Sequence, residues 1–108
     1  MNTKNIKKAI AELKQILAHH FGGGVELYLF GSVARNDHTI DSDIDVLVLF
    51  PGLVNRVLEE EVIDLAYDVE LKYNVVFGIV VYSKEFWSSA KAQVMPFYRN
   101  LQNEALRI

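Results

Sequence analysis

Two apolar runs, at residues 25–30 and 44–50, constrain the fold of this chain more than any other feature of its sequence. Both are rich in Val, Leu and Phe and have the length of buried β-strands. The first run ends in the turn-forming pair Gly31-Ser32, and a polar connection follows before the second run begins. We therefore predict two buried strands, with the rest of the chain packed around them.

Helical patterns surround these strands. Apolar residues recur every three or four positions from Thr3 to His20, and again from about Val54 to Tyr73, which is typical of amphipathic helices that lie on a sheet. A further apolar run, Asn74 to Tyr82, predicts a third strand. Ser83 then has the position of a helix N-cap, and Pro96 begins a last helix that ends near Ala105. The predicted order of elements is α-β-(α)-β-α-β-α-α.

The composition indicates one soluble domain. A chain of 108 residues, 51% of them hydrophobic, is long enough for one core and too short for two. Eleven basic and fourteen acidic residues give a net charge of −3, and the basic residues are dispersed, so nucleic-acid binding is not expected. Cysteine is absent, no apolar run approaches the ~18 residues of a membrane span, and residues 1–4 do not resemble a signal peptide. We expect a single cytoplasmic domain, residues 1–108, without membrane association.

Asp43 and Asp45 begin the second apolar run and place two like charges close together. Side chains alternate along a strand, so residues two positions apart point to the same side. A divalent metal such as Mg²⁺ would explain the pair, because hard cations bind carboxylates and phosphate oxygens and cancel the repulsion between the carboxylates. The alternative is that the two aspartates only mark a solvated strand start.

The Gly31-Ser32 turn has the features of a phosphate site. Gly31 allows the backbone to approach an anion, Ser32 adds a hydroxyl group, and the amides of a turn that leads into a helix point at phosphate oxygens. Arg35, one helical turn later, can bind a phosphate through two N–H groups. A Gly-Ser pair alone is usually only a turn. Its place between two buried strands, ahead of Asp43 and Asp45, favours a binding site.

Three segments resemble the G-S-x-A-R…S-D-x-D signature of the DNA polymerase β-like nucleotidyltransferase superfamily: Gly31-Ser32, Ala34-Arg35 and Ser42-Asp43-Ile44-Asp45. The size of the chain resembles the minimal nucleotidyltransferase (MNT) branch. The resemblance implies an α/β (α+β) fold, in which helices flank a small mixed β-sheet of three or more strands. One departure is Asn36, which stands where the family often has glycine, but asparagine tolerates a left-handed backbone better than most residues.

The resemblance also implies a reaction, the transfer of a nucleoside monophosphate from a nucleoside triphosphate, expected to be ATP, to an acceptor hydroxyl. MNT proteins are often antitoxins of HEPN-domain proteins, so the acceptor is expected on a HEPN-type partner; the resemblance also allows a homo-oligomer. The implied site residues are Asp43 and Asp45 as catalytic residues and ligands of Mg²⁺ or Mn²⁺, with Gly31, Ser32, Arg35 and Ser42 as nucleotide- and phosphate-binding residues.

A third carboxylate, which active members of the superfamily carry on a later strand to complete the metal site, is missing from this sequence. No Asp or Glu lies between Val75 and Ser83, and we expect Phe77 or Ile79 at the equivalent position. The alternative function is therefore a catalytically degenerate module that binds or neutralises a HEPN-type partner without turnover.

The C-terminal part of the chain is rich in large apolar side chains. They can cover the open edge of the sheet or the first helix, or they can form an exposed patch for a partner chain, and the sequence leaves both interpretations open. These residues are Phe86, Trp87, Met95, Phe97, Tyr98 and Leu101.

Overall fold

A computed structural model describes residues 3–108 of the chain, in which helices and strands alternate for most of the length. The helices are α1 (Thr3–Phe21), α2 (Gly31–Arg35), α3 (Arg56–Tyr73), α4 (Lys84–Trp87), α5 (Ala90–Gln93) and α6 (Pro96–Glu104). The strands are β1 (Glu26–Phe30), β2 (Ile44–Phe50), β3 (Phe77–Ser83) and β4 (Leu106–Arg107).

The four strands form one mixed sheet in the order β3-β2-β1-β4. Strand β1 runs antiparallel to both β2 and β4, whereas β3 runs parallel to β2. A parallel neighbour requires a crossover connection, and α3 supplies it. The predicted α/β class, a small mixed sheet of three or more strands flanked by helices, is confirmed. The predicted order of elements also holds, with the short helix α5 and the terminal strand β4 added.

Local geometry explains where the main helices begin and end. Helix α1 stops before Gly22, whose φ of +91° lies in the left-handed region that glycine adopts without strain. The side chain of Asn55 caps α3 by accepting a hydrogen bond from the N–H of Leu58 at 2.9 Å. At the other end of α3, Asn74 is left-handed with φ +54°. The third strand therefore begins at Phe77, three residues later than the sequence predicts.

One face of the sheet packs against α1 and α3. The alternate residues Ile44, Val46 and Val48 of β2 point to this face and are fully buried among apolar side chains of both helices. Leu13 of α1 and Val62 of α3 are buried with them. This layer holds most of the hydrophobic core, and hydrophobic burial is the main favourable contribution to folding.

The opposite face of the sheet carries a second, smaller core made by the C-terminal part of the chain. Leu47 and Leu49 of β2 are buried against Leu101 of α6, with Trp87 and Phe97 packed beside them. Other aromatic rings extend the cluster: Tyr82 lies 5.2 Å from Phe86, and Trp87 lies 4.8 Å from Tyr98, between ring centroids. Of the C-terminal aromatic residues, Trp87 and Phe97 therefore cover a face of the sheet, and not its open edge or the first helix.

Leu101 anchors α6 to the sheet, so we expect Leu101→Ala to lower the free energy of unfolding by about 2–5 kcal/mol, the usual cost of truncating a buried leucine. Leu101 is 3% exposed, whereas Val94, in the preceding turn, is 66% exposed. Val94→Ala should change stability by less than about 0.5 kcal/mol. Urea unfolding followed by circular dichroism measures both values, and equal losses for the two variants would contradict this account of the second core.

None of the helices within residues 3–108 is long and apolar enough to cross a bilayer.

Candidate functional site

The candidate site lies at one end of the sheet, where three strand ends meet. The C-terminal end of β1 pairs with the start of β2 through Phe30 and Asp45, and Asp45 also pairs with Gly78 near the start of β3. Helix α2 begins directly after Phe30. The sheet register therefore brings the predicted Gly31-Ser32 turn next to the predicted aspartates, although the polar connection separates them in sequence.

Asp43 and Asp45 lie on the same side of the sheet, as the alternation of strand side chains predicts. A side chain added at Gly78 would contact both: its Cβ would lie 2.6 Å from Asp45 Oδ1 and 4.0 Å from Asp43 Cβ. Asp43 is exposed and Asp45 is half-buried. The pair lies on the sheet face that also carries Leu47, which is the face covered by α6.

The Asp45 carboxylate occupies a narrow slot between two glycines. Gly31 has φ +74°, and a Cβ at this position would collide with Asp45 Oδ2. Gly78, on the other side, leaves room for Asp45 Oδ1. Both close approaches require a residue without a side chain, and Gly31 also requires a backbone conformation that other residues rarely adopt. The two glycines thus fix where the carboxylate can lie.

The register of β3 corrects one prediction. Neither Phe77 nor Ile79 stands beside the aspartates, because both pack into the core under the opposite face of the sheet. Gly78 occupies the neighbouring position instead and brings no carboxylate. Among residues 3–108, no three His, Cys, Asp or Glu side chains are grouped closely enough to hold a metal ion. A divalent ion at this site would therefore have two carboxylate ligands from the described chain.

The electrostatics of the site reflect this pair. Burial raises the pKa of the Asp45 carboxyl, the charge of Asp43 raises it further, Arg35 lowers it, and Glu104 raises it. Three negative side chains and one positive side chain therefore act on one another at this end of the sheet. A hard divalent cation is the kind of ligand that such a donor set fits, because it binds carboxylate oxygens and removes their repulsion.

Arg35 is the last residue of α2 and forms two ion pairs. Its Nη1 donates to Glu104 Oε2 at 2.8 Å, and its Nε donates to Asp37 Oδ2 at 3.3 Å. The sequence predicts Arg35 as a phosphate-binding residue, and the structure places it at the end of α2, the short helix whose first residue, Gly31, lies against Asp45. The sequence does not predict Glu104 as a partner of Arg35. An acidic residue at the end of a helix is no distinctive signal, and Glu104 lies 69 positions after Arg35.

The connection between α2 and β2 is held by local hydrogen bonds. Asn36 ends α2 in the left-handed conformation, with φ +61°, as its sequence position predicts. The Ser42 hydroxyl accepts a hydrogen bond from the N–H of Thr39 at 2.9 Å. Ser42 directly precedes Asp43, and its side chain stabilises a turn, whereas Ser32 is the second residue of α2.

A cleft with a volume of about 680 Å³ has Asp43 in its wall. The polar residues Asn5 and Asn74 contribute to its wall, and no motif in the sequence marks either of them. Asn5 Nδ2 donates to the backbone carbonyl of Tyr73 at 3.2 Å, which holds the start of α1 against the end of α3. The lining residues are Asn5, Ile40, Asp41, Ser42, Asp43, Asn74, Val75 and Val76.

Comparison with known proteins gives one matching family model and two related sequences. The family model described as a nucleotidyltransferase domain matches residues 10–97. A candidate protein adenylyltransferase from Methanocaldococcus jannaschii is 39% identical over 101 residues, which cover 93% of this chain and 94% of that protein. A second protein of the same name and organism is 34% identical over 61 residues, 56% of this chain and 62% of its own length.

Solved structures share the fold. A candidate minimal nucleotidyltransferase superposes with a TM-score of 0.65 at 23% identity, over 100% of this chain and 97% of its own. A toxin–antitoxin structure with AMP-PNP gives a TM-score of 0.57 at 18% identity, over 99% of this chain and 72% of that chain. At these identities the likeness concerns the fold.

Proposed function

Because the chain belongs to the nucleotidyltransferase domain family, we propose that it binds a nucleoside triphosphate at the Asp43 and Asp45 end of the sheet and transfers the nucleoside monophosphate to a protein hydroxyl. The observation that carries the proposal is the slot between Gly31 and Gly78, which holds the Asp45 carboxylate directly beside the start of α2. A carboxylate pair next to a glycine turn is the combination that a metal-bound phosphate requires.

ATP is the nucleotide we propose, and a HEPN-type protein is the proposed acceptor. The relative with the higher identity bears the name of a protein adenylyltransferase. The toxin–antitoxin structure that shares this fold contains AMP-PNP, an ATP analogue. Both observations concern other proteins, and they support ATP over other nucleotides and a protein over a small molecule as the acceptor.

Each predicted site residue has a proposed role. Asp43 and Asp45 would hold Mg²⁺ or Mn²⁺, which would neutralise charge on the phosphate oxygens when bound. Gly31 lets the backbone approach the phosphates, and Arg35 supplies a positive charge at the same end of the sheet. The remaining phosphate-binding residues of the proposal are Ser32 and Ser42.

In the proposed reaction the oxygen of the acceptor hydroxyl forms a bond to the α-phosphorus. The bond between the α-phosphorus and the oxygen that bridges to the β-phosphate breaks, and pyrophosphate leaves. Because Gly78 brings no carboxylate to the site, the hydroxyl proton passes to solvent. Holding the two reactants in line can supply a large part of the rate enhancement without a protein base.

A second candidate function is a module that binds a HEPN-type partner without turnover. The observation that favours it is again Gly78, because the position beside Asp45 that would carry a further acidic group has no side chain. The two functions share the fold and differ in whether nucleotide is consumed.

Calorimetric titration with ATP, GTP, CTP and UTP, each with and without Mg²⁺, tests the proposal. We expect ATP to bind in the presence of Mg²⁺ with a dissociation constant between about 1 μM and 1 mM, the usual range for enzyme substrates. Adding a HEPN-domain protein should then release pyrophosphate and increase the mass of that protein by one adenylyl group. Nucleotide binding without pyrophosphate release would support the second function, and a protein that binds none of the four nucleotides would refute the first.

A further inference from the structure

We propose that Glu104 makes nucleotide binding dependent on a divalent cation. It pairs with Arg35 when no phosphate is present, and it remains as an uncompensated negative charge at the same end of the sheet as Asp43 and Asp45 when Arg35 turns to a phosphate. This inference rests on the proposed nucleotide site and adds a residue that the sequence signature does not contain.

The contact between Arg35 and Glu104 is the stronger of the two ion pairs that Arg35 makes. The distance from Nη1 to Glu104 Oε2 is 2.8 Å, against 3.3 Å from Nε to Asp37 Oδ2. The Glu104 side chain is 23% exposed and that of Asp37 is 59% exposed. Water screens an exposed ion pair more than a shielded one. Glu104 is therefore the main competitor of a phosphate for Arg35.

Glu104 is held in place by the fold. It lies on α6 three residues after Leu101, so the two side chains are on neighbouring positions of the helix surface. Leu101 is buried against β2, and α6 packs against α2, the helix that carries Arg35. Strand β4, which begins two residues after Glu104, pairs with β1. The packing of α6 therefore keeps Glu104 at this end of the sheet when Arg35 leaves it.

The positions of the charged groups explain the coupling. Glu104 contacts Arg35 at the end of α2, and α2 begins at Gly31, which lies directly against the Asp45 carboxylate. When a triphosphate draws Arg35 away, Glu104 loses its partner and the anionic ligand adds further negative charge. This arrangement is unfavourable without a cation and is relieved when Asp43 and Asp45 hold one. Glu104 thus penalises metal-free nucleotide more than metal-bound nucleotide.

The expected result concerns a ratio: the dissociation constant for ATP in excess EDTA divided by the dissociation constant for ATP with Mg²⁺. Calorimetry measures both constants. In Glu104→Gln this ratio should fall about 10-fold relative to the unchanged protein, because removing one charged partner of an ion pair changes binding by about that factor. Metal-free ATP should bind more tightly to the variant, and Mg-ATP should change less. Circular dichroism and thermal unfolding establish that the variant is folded.

Asp37→Asn is the matched control, because it removes the other carboxylate that contacts Arg35 without altering the groups that act on Asp45. For Asp37→Asn, the ratio of the two dissociation constants for ATP should change less than about 3-fold. If Glu104→Gln does not fold, Glu104→Asp keeps the charge but lengthens the contact with Arg35, and a smaller fall in the ratio is expected.

Two outcomes separate this inference from the proposed function. An unchanged protein that does not bind Mg-ATP refutes both. An unchanged protein that binds Mg-ATP, with a ratio that Glu104→Gln leaves the same or raises, refutes only the role of Glu104. Weaker binding of both ATP forms by Glu104→Gln also overturns the inference, because Glu104 would then hold Arg35 in its phosphate-binding position.

Discussion

The double substitution Asp43→Asn and Asp45→Asn should lower the affinity for Mg-ATP by about 100-fold or more while the protein remains folded. Loss of a residue that only orients a metal ligand already costs 10–100-fold in metal affinity, and this variant removes both proposed ligands. Neither aspartate is buried in the apolar core, so the fold does not depend on them. Without metal, the variant should be slightly more stable to urea, because two like charges are removed. Calorimetry and urea unfolding measure the two effects.

Asp64→Asn with Asp68→Asn is the matched control, because these residues lie on the exposed side of α3 and change the net charge by the same amount. Their variant should bind Mg-ATP like the unchanged protein. If the Asp43 and Asp45 variant binds Mg-ATP as tightly as this control, the assignment of the metal ligands is wrong.

Gly31→Ala should combine a loss of stability with a loss of binding. Alanine at φ +74° is strained by about 1–2 kcal/mol, and its Cβ would collide with Asp45 Oδ2, so the carboxylate must move. We expect the free energy of unfolding to fall by about 1–2 kcal/mol and the affinity for Mg-ATP to fall at least ~10-fold, as for other changes that displace a metal ligand. Urea unfolding and calorimetry check the two results separately.

Gly52→Ala is the control for this change, because a Cβ at Gly52 meets no atom within 4 Å and Gly52 has no left-handed φ. It should leave stability within about 0.5 kcal/mol and binding unchanged. A Gly31→Ala variant that resembles Gly52→Ala in both measurements would contradict the close approach between Gly31 and Asp45.

The local parts of the fold and of the candidate site follow from the sequence. The strands at residues 26–30 and 44–50, the N-cap at Ser83 and the left-handed backbone at Asn36 are set by neighbours in the chain, so propensity and spacing predict them. Asp43 and Asp45 share a side because strand side chains alternate. These features depend on interactions within a few residues.

The pairing of β3 with β2 could not be predicted in the same way. Apolar residues fill both faces of β3, so its sequence does not indicate which side chains face the site, and a shift of one residue reverses every side chain. For this reason the prediction that Phe77 or Ile79 lies beside the aspartates is wrong, and Gly78 lies there instead. The pairing of Arg35 with Glu104 depends on how α6 docks onto the sheet, which no local pattern specifies.

The aromatic core on the second sheet face gives the protein a built-in fluorescent reporter. Trp87 is the single tryptophan of the sequence, and its ring contacts Phe97 and Tyr98 of α6 and Tyr82 of β3. Helix α6 also carries Glu104, so any displacement of this helix when Arg35 exchanges partners changes the surroundings of the indole. Its emission spectrum can therefore follow the position of α6 during titration with nucleotide or metal, without a label.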